Sequence, residues 1–295
     1  MDNRPNLIER AAARLRDSPK PEPEGVVRTS LAQPIPIPTN RLFAKPLKRN
    51  FTLDRGHLAA MGIIMPWSST ARAVEEFRIV KRKLMLQWQT PEYLETRGGL
   101  PRVVMVTSSK PREGKTFISI NLALAFAAEE NLNTILIDAD PIRGDTAKTL
   151  KTDVQPGFTE VLAGQVPLEE ALVQTDLPNL LVLAPGAHGP HVPELLSGRA
   201  PGVLFDQLAA RYPEHVIVLD APPCLASTDP AGFAPLVSDV VFVIEAERTQ
   251  RPEVETSVSL LSACPRISFL LNKAPRRSSE QFGSYSYYYA PPKIP

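Results

Sequence analysis

At 295 residues, with a formal net charge of +1 and 43% hydrophobic residues, the chain is long enough for one sizeable core plus extensions. Its near-neutral balance excludes a global attraction to nucleic acid. No run approaches the roughly 18 apolar residues of a membrane span, and the N-terminus MDNRPNLIERAAARLRDS carries acids and lacks an apolar signal core. The two cysteines, Cys224 and Cys264, have no metal-ligand spacing and make no secreted-type disulfide framework, which points to a reducing cytoplasm.

Residues 5–18 carry Leu7, Ile8, Ala11, Ala12 and Leu15 at helical spacing and predict a short amphipathic helix. The stretches PKPEPEG and AQPIPIPTN then break regular structure, because proline removes backbone donors and restricts its predecessor. Residues 1–65 therefore read as a largely disordered N-terminal extension, with 19–65 as its extended linker. Ser68, Ser69 and Thr70 can cap a helix from Ala71 to Gln89 with Val74, Phe77, Ile79, Val80 and Leu84 as its apolar positions. Beyond it, apolar runs of strand length alternate with helical stretches: Val103–Thr107, Thr134–Asp138, Leu180–Ala184, Val216–Asp220, Val240–Glu245 and Ile267–Asn272. That alternation predicts an α/β domain over 66–273 with a mostly parallel sheet and helices on both faces. A tail follows over 274–295.

VVMVT runs into SSKPREGKT and then FISINLALAFAAEE, the strand, loop and helix order of a phosphate-binding loop. Backbone N–H groups of Ser109, Lys110, Arg112, Glu113 and Gly114, with the start of the helix through Phe117, surround phosphate in such a loop. Lys115 brings a full positive charge to the β- and γ-phosphates, and Thr116 offers its hydroxyl to Mg²⁺. The first loop position is Ser109 where the general pattern has glycine. Two further strand ends restore the assignment: ILIDAD places Asp138 and Asp140, and VIVLDAPP places Asp220, so that three acids converge where a parallel sheet opens its ligand crevice. Such a set suits MgATP. Arg143 is placed to reach phosphate or pair with an acid, and equally to be a plain surface arginine. Asn272 ends the last strand, where an amide either reads an adenine edge or forms a turn.

TSSKPREGKT with NLALAFA, then ILIDADPIRG, VIVLDAPP and a C-terminal tyrosine cluster resemble the bacterial tyrosine kinases of exopolysaccharide and capsule production, over roughly residues 70–290. PELLSG, RYPEHVIVLDAPP, VIEAERT and LLNKA resemble the subgroup from exosortase-associated loci. The resemblance implies a P-loop NTPase-like fold and an ATP- and Mg²⁺-dependent tyrosine autokinase. It implies phosphate binding by Lys115, Mg²⁺ coordination by Thr116, and metal or catalytic duties for Asp138, Asp140 and Asp220. It also matches Glu75, Arg78 and Lys81 to a helix pattern that packs relatives into a ring, with lysine replacing a final arginine and losing its planar fork. Arg112 stands where the family usually has glycine. If that position is left-handed, arginine costs about 1–2 kcal/mol there.

Of six tyrosines, four lie in the last eleven residues: Tyr285, Tyr287, Tyr288 and Tyr289. Polar and proline-rich flanks offer no core to bury them. They read as phosphoacceptors, with Asp138 the first candidate to take the phenol proton, on a tail whose extended reach is about 65 Å. The resemblance further implies a separate transmembrane chain-length regulator, a homo-oligomeric ring, an opposing phosphotyrosine phosphatase and recruitment to the inner membrane face. Two other readings compete. Lys110 lies where membrane-cycling or partitioning ATPases carry a second signature lysine, and Arg112 keeps open a nucleotide-binding scaffold without kinase activity.

Overall fold

The computed structural model describes residues 47, 49–66, 71–97, 102–153 and 155–275. The expected 5–18 helix and the tyrosines 285–289 lie outside them. The eight strands of the described residues are β1 (Arg49–Phe51), β2 (Val103–Ser108), β3 (Asn133–Asp138), β4 (Val173–Thr175), β5 (Leu180–Leu183), β6 (His215–Asp220), β7 (Asp239–Glu245) and β8 (Ile267–Asn272). They form one sheet in the order β1-β4-β5-β3-β6-β2-β7-β8. Every pairing is parallel except β4 with β5. β2 and β6 are buried along their whole length, as strands covered by helices on both faces must be.

The helices that bear on the site are α1 (Arg55–Ala60), α2 (Ala71–Gln87), α3 (Pro91–Arg97), α4 (Lys115–Ala127), α5 (Asp145–Leu150) and, between β7 and β8, α6 (Arg251–Leu260). α4 is apolar nearly all round, and Ile118, Leu122 and Phe126 join Val104, Val106, Val218 and Val241 in the core. A helix of that composition is stable only inside, between the sheet and α2. Trp88, just after α2, stacks on Phe126 with centroids 5.4 Å apart, and Phe77 meets Phe117 edge-on at 6.0 Å.

The linker expected through residue 65 ends earlier. Arg49–Phe51 pairs with β4, and Leu53, Leu58, Ile63 and Met65 are core residues. Asp176 fixes this segment, accepting from the Leu53 N–H at 3.0 Å and from Arg55 at 2.9 Å. The proline signal that suggested disorder stops at Pro46; after it, apolar residues too widely spaced to show a period are enough to dock the chain. The six strands expected from the apolar runs are all present.

Candidate active site

Parallel strands end together at one rim of the sheet, and the site residues sit there. β2 leads through residues 109–114 into α4, β3 ends on Asp138, and β6 ends on Asp220, its register partner. Between β2 and α4 the chain must turn sharply, and it does so through two left-handed residues, Arg112 at φ 69° and Gly114 at φ 99°. Gly114 is required twice over: its φ disfavours any L side chain, and a Cβ there would lie 2.1 Å from Asn272 Nδ2.

Asp220 is the centre of the polar network. Thr116 Oγ1 and Thr146 Oγ1 each donate to its Oδ2 at 2.8 Å, and Ser119 Oγ lies 2.9 Å from Oδ1. Asp138 accepts instead from backbone, through Oδ1 from the Asp140 N–H at 3.1 Å and through Oδ2 from the Thr146 and Ala147 N–H groups at 3.1 and 3.3 Å. Asp140 Oδ1 accepts from the Arg143 N–H at 3.2 Å. The Arg143 guanidinium approaches Asp145 at 3.7 Å, so it pairs with an acid, the second of its expected alternatives.

Three buried carboxyls at one rim are electrostatically costly without a cation. Burial pushes Asp138 well above the ordinary carboxyl range, and the neighbouring Asp220 charge pushes it further. Asp140 is raised by burial. Burial also raises Asp220, against the opposing pull of the Lys115 charge and its hydroxyl donors. A divalent cation reverses this balance by favouring the ionised forms. Among the described residues no group of three His, Cys, Asp or Glu side chains forms a self-sufficient metal cage. The donor set is the one Mg²⁺ accepts, a hydroxyl and one or two carboxylates with phosphate and water completing the shell.

Other expected residues serve the loop's framework. Ser109 is buried, its hydroxyl 3.2 Å from that of Ser257 on α6. Lys110 Nζ is held by Glu253 at 2.8 Å. Glu113 is buried, its Oε2 accepting from the Lys110 N–H at 2.7 Å and its Oε1 from Thr249 Oγ1. Asn272 Nδ2 donates to the Glu113 carbonyl at 2.9 Å, so its amide braces the loop. Beside Thr116 and Phe117 a cavity of about 380 Å³ opens between α1, α4 and α5, lined also by His57, Met61 and Ile63.

The ring-helix residues part company. Glu75 and Arg78 pair with each other at 3.4 Å on the exposed face of α2. Lys81 is buried and paired with Glu129 of its own chain. Its stem packs inward while its charge reaches the first acid beyond α4. Sequence reasoning missed Ser119, Thr146 and Lys273. A hydroxyl one helical turn beyond Lys115 was a usable signal for Ser119; nothing local marks the other two, because their partners are remote in sequence.

No family model matches the chain. It is 33% identical over 179 residues to the tyrosine-protein kinase ptk of Acinetobacter johnsonii, covering 60% of this chain but 24% of that protein. The chain thus spans about a quarter of that relative's length. Among solved structures it superposes on the kinase domain of VpsO with a TM-score of 0.54 and 34% identity, covering 70% of this chain and 100% of that one. It is also 30% identical over 187 residues to the tyrosine-protein kinase YwqD of Bacillus subtilis, covering 62% of this chain and 76% of that protein. With a relative matched over most of its own length and a kinase domain matched over all of its own, the chain belongs to the bacterial tyrosine-protein kinases, a family of P-loop proteins.

Proposed function

We propose that this protein is an ATP-dependent tyrosine autokinase that phosphorylates Tyr285, Tyr287, Tyr288 and Tyr289 and thereby regulates exopolysaccharide production or export. The observation that carries the reading is the meeting of the α4 N-terminus, with Lys115 and Thr116, and three buried strand-end acids at one rim. Phosphoryl transfer asks little covalent chemistry of a protein; it asks for positioning and charge compensation. Lys115 and the unpaired N–H groups opening α4 would hold the triphosphate. Thr116 and Asp220, with Asp138 near them, would hold Mg²⁺, which supplies charge neutralisation on the transferring phosphoryl group.

A phenol with a pKa of about 10 needs a proton acceptor when it attacks. Asp138 suits that task as a carboxylate at the same rim as Asp220, which a bound Mg²⁺ would keep ionised and able to accept a proton. The cavity beside Thr116, where Met61, Ile63, Phe117 and Ile120 line it together with polar residues such as His57 and Lys148, has room for a tyrosyl ring. The exposed Glu75–Arg78 pair supports packing against further copies in a ring. Recruitment by a membrane-spanning chain-length regulator is consistent with the finding that, among the described residues, no helix is long and apolar enough to cross a membrane. Reversal by a phosphotyrosine phosphatase completes the cycle.

Incubation of purified protein with MgATP, followed by phosphotyrosine mapping, tests the reading in wild type, Lys115→Met and a variant with the four tail tyrosines changed to phenylalanine. Phosphate on the tail in wild type alone is expected. ATP hydrolysis with no phosphotyrosine in any variant would replace the kinase with a switch ATPase.

A further inference from the structure

The loop between β2 and α4 is held from one side by the end of β8. Lys273 Nζ donates to the Arg112 carbonyl at 2.6 Å, and Asn272 Nδ2 donates to the next carbonyl, that of Glu113. In a trans peptide the carbonyl and the N–H that follows it point to opposite sides. Drawing these two carbonyls toward β8 therefore turns the N–H groups of Glu113 and Gly114 away from it. Among the described residues neither N–H finds an acceptor. They lie in a stretch where Arg112 and Gly114 are both left-handed, a backbone form that gathers successive N–H groups into an anion-binding concavity.

Lys273 is built for this task. It is itself left-handed at φ 55°, a conformation that disfavours its side chain unless something fixes it. Its ammonium is shared with Glu245 Oε2 at 3.2 Å. The Glu245 N–H donates to Thr249 Oγ1 at 2.9 Å, and Thr249 donates in turn to Glu113. A closed circuit thus runs from the end of β7 to the loop and back through the end of β8.

We infer that Lys273, with Asn272 beside it, is a positioning residue for the phosphate cradle, holding the loop carbonyls so that the N–H groups of Glu113 and Gly114 face an incoming polyphosphate. The inference rests on the nucleotide reading above, and adds a residue that binds no part of the nucleotide. Its ligand class is a nucleoside di- or triphosphate.

The test is calorimetric titration of the full chain with MgATP, ADP and AMP, in wild type, Lys273→Met, Lys273→Arg and Glu245→Gln. Loss of one charge-assisted hydrogen bond that orders two donors is expected to weaken ATP and ADP about tenfold in Lys273→Met. AMP, which lacks the outer phosphates, changes little. Lys273→Arg, which still donates to a carbonyl, recovers most of the affinity. Glu245→Gln, which loosens the hold on the Lys273 ammonium but leaves its bond to the Arg112 carbonyl, falls between wild type and Lys273→Met. Lys273 is partly exposed, so thermal melting should show all variants folded. Equal affinities in Lys273→Met and wild type, or equal losses for ATP and AMP, overturn the inference alone. Wild-type protein that binds no nucleotide removes the functional reading and the inference with it.

Discussion

Thr116 Oγ1 donates to Asp220 Oδ2 at 2.8 Å, joining the first turn of α4 to the end of β6. This bond joins the two groups that the functional reading assigns to Mg²⁺. Metal entry would have to exchange it for two metal bonds, with Thr146 and Ser119 continuing to orient the carboxylate.

Thr116→Ala should therefore lower tyrosine phosphorylation by about a hundredfold or more, the scale of losing a preorganised electrostatic contact. Thr116→Ser keeps the hydroxyl and should retain most activity. The check is the Mg²⁺ dependence of phosphotyrosine formation, where Thr116→Ala shifts the requirement to higher metal concentration. An alanine variant with unchanged metal dependence would remove Thr116 from the metal's coordination.

Asp239 anchors the α2–α3 hairpin to the sheet from the opposite end of β7. Its buried carboxylate accepts from Trp88 Nε1 at 3.1 Å, Ser238 Oγ at 2.8 Å and Arg266 Nε at 3.1 Å, while Arg266 lies 3.9 Å over the Tyr93 ring. Asp239→Ala leaves the Arg266 charge and the indole donor without their acceptor, which should cost about 3–5 kcal/mol. Urea unfolding measures it. A loss below about 1 kcal/mol would show that water replaces the carboxylate without penalty.

The sequence showed the site better than its supports. Asp138, Asp220 and Lys115 follow apolar strands or precede an apolar helix, so chain pattern alone puts them at one rim. β1 and β4 were invisible, because three residues are too few to establish a period of two. The Lys81–Glu129 pair is hidden for a related reason: a helix pattern gives the face but not whether a long side chain bends inward. From the sequence Asn272 either reads an adenine edge or forms a turn; its bond to the Glu113 carbonyl depends on packing that no local pattern encodes.

Arg112 now has a defined conformation, left-handed at φ 69°. Relief of that strain by Arg112→Gly is worth about 1–2 kcal/mol, against about 0.5–1 kcal/mol of extra unfolded-state entropy for glycine. The variant should therefore be as stable as wild type or up to about 1.5 kcal/mol more stable, read as an unchanged or higher melting temperature. Nucleotide titration then separates two roles. Unchanged ATP affinity makes Arg112 a tolerated departure, whereas a loss means that its guanidinium contacts phosphate. Wild type that binds no MgATP, with binding restored in Arg112→Gly, would mark arginine as inactivating.

His215 supplies a pH dependence that is independent of the nucleotide site. It opens β6, is buried against the Tyr212 ring at 5.1 Å, and neither ring nitrogen has a partner among the described residues. Burial lowers its pKa from 6.5 to about 4. The unfolded chain therefore binds more protons than the folded one between those values, so stability falls as pH drops through that window and is fully present above about 6.5. Between pH 7.5 and pH 5 the linkage amounts to about 2 kcal/mol, an order-of-magnitude figure. His215→Leu removes both the titration and two unsatisfied nitrogens from an apolar position, so it should match or exceed wild type at pH 7.5. Its loss of stability on acidification should then be smaller than that of wild type by about the same 2 kcal/mol. Urea unfolding of both proteins at the two pH values gives the comparison directly. Parallel acid losses would mean that His215 is already solvated or protonated in the folded state, contrary to its burial at the start of β6.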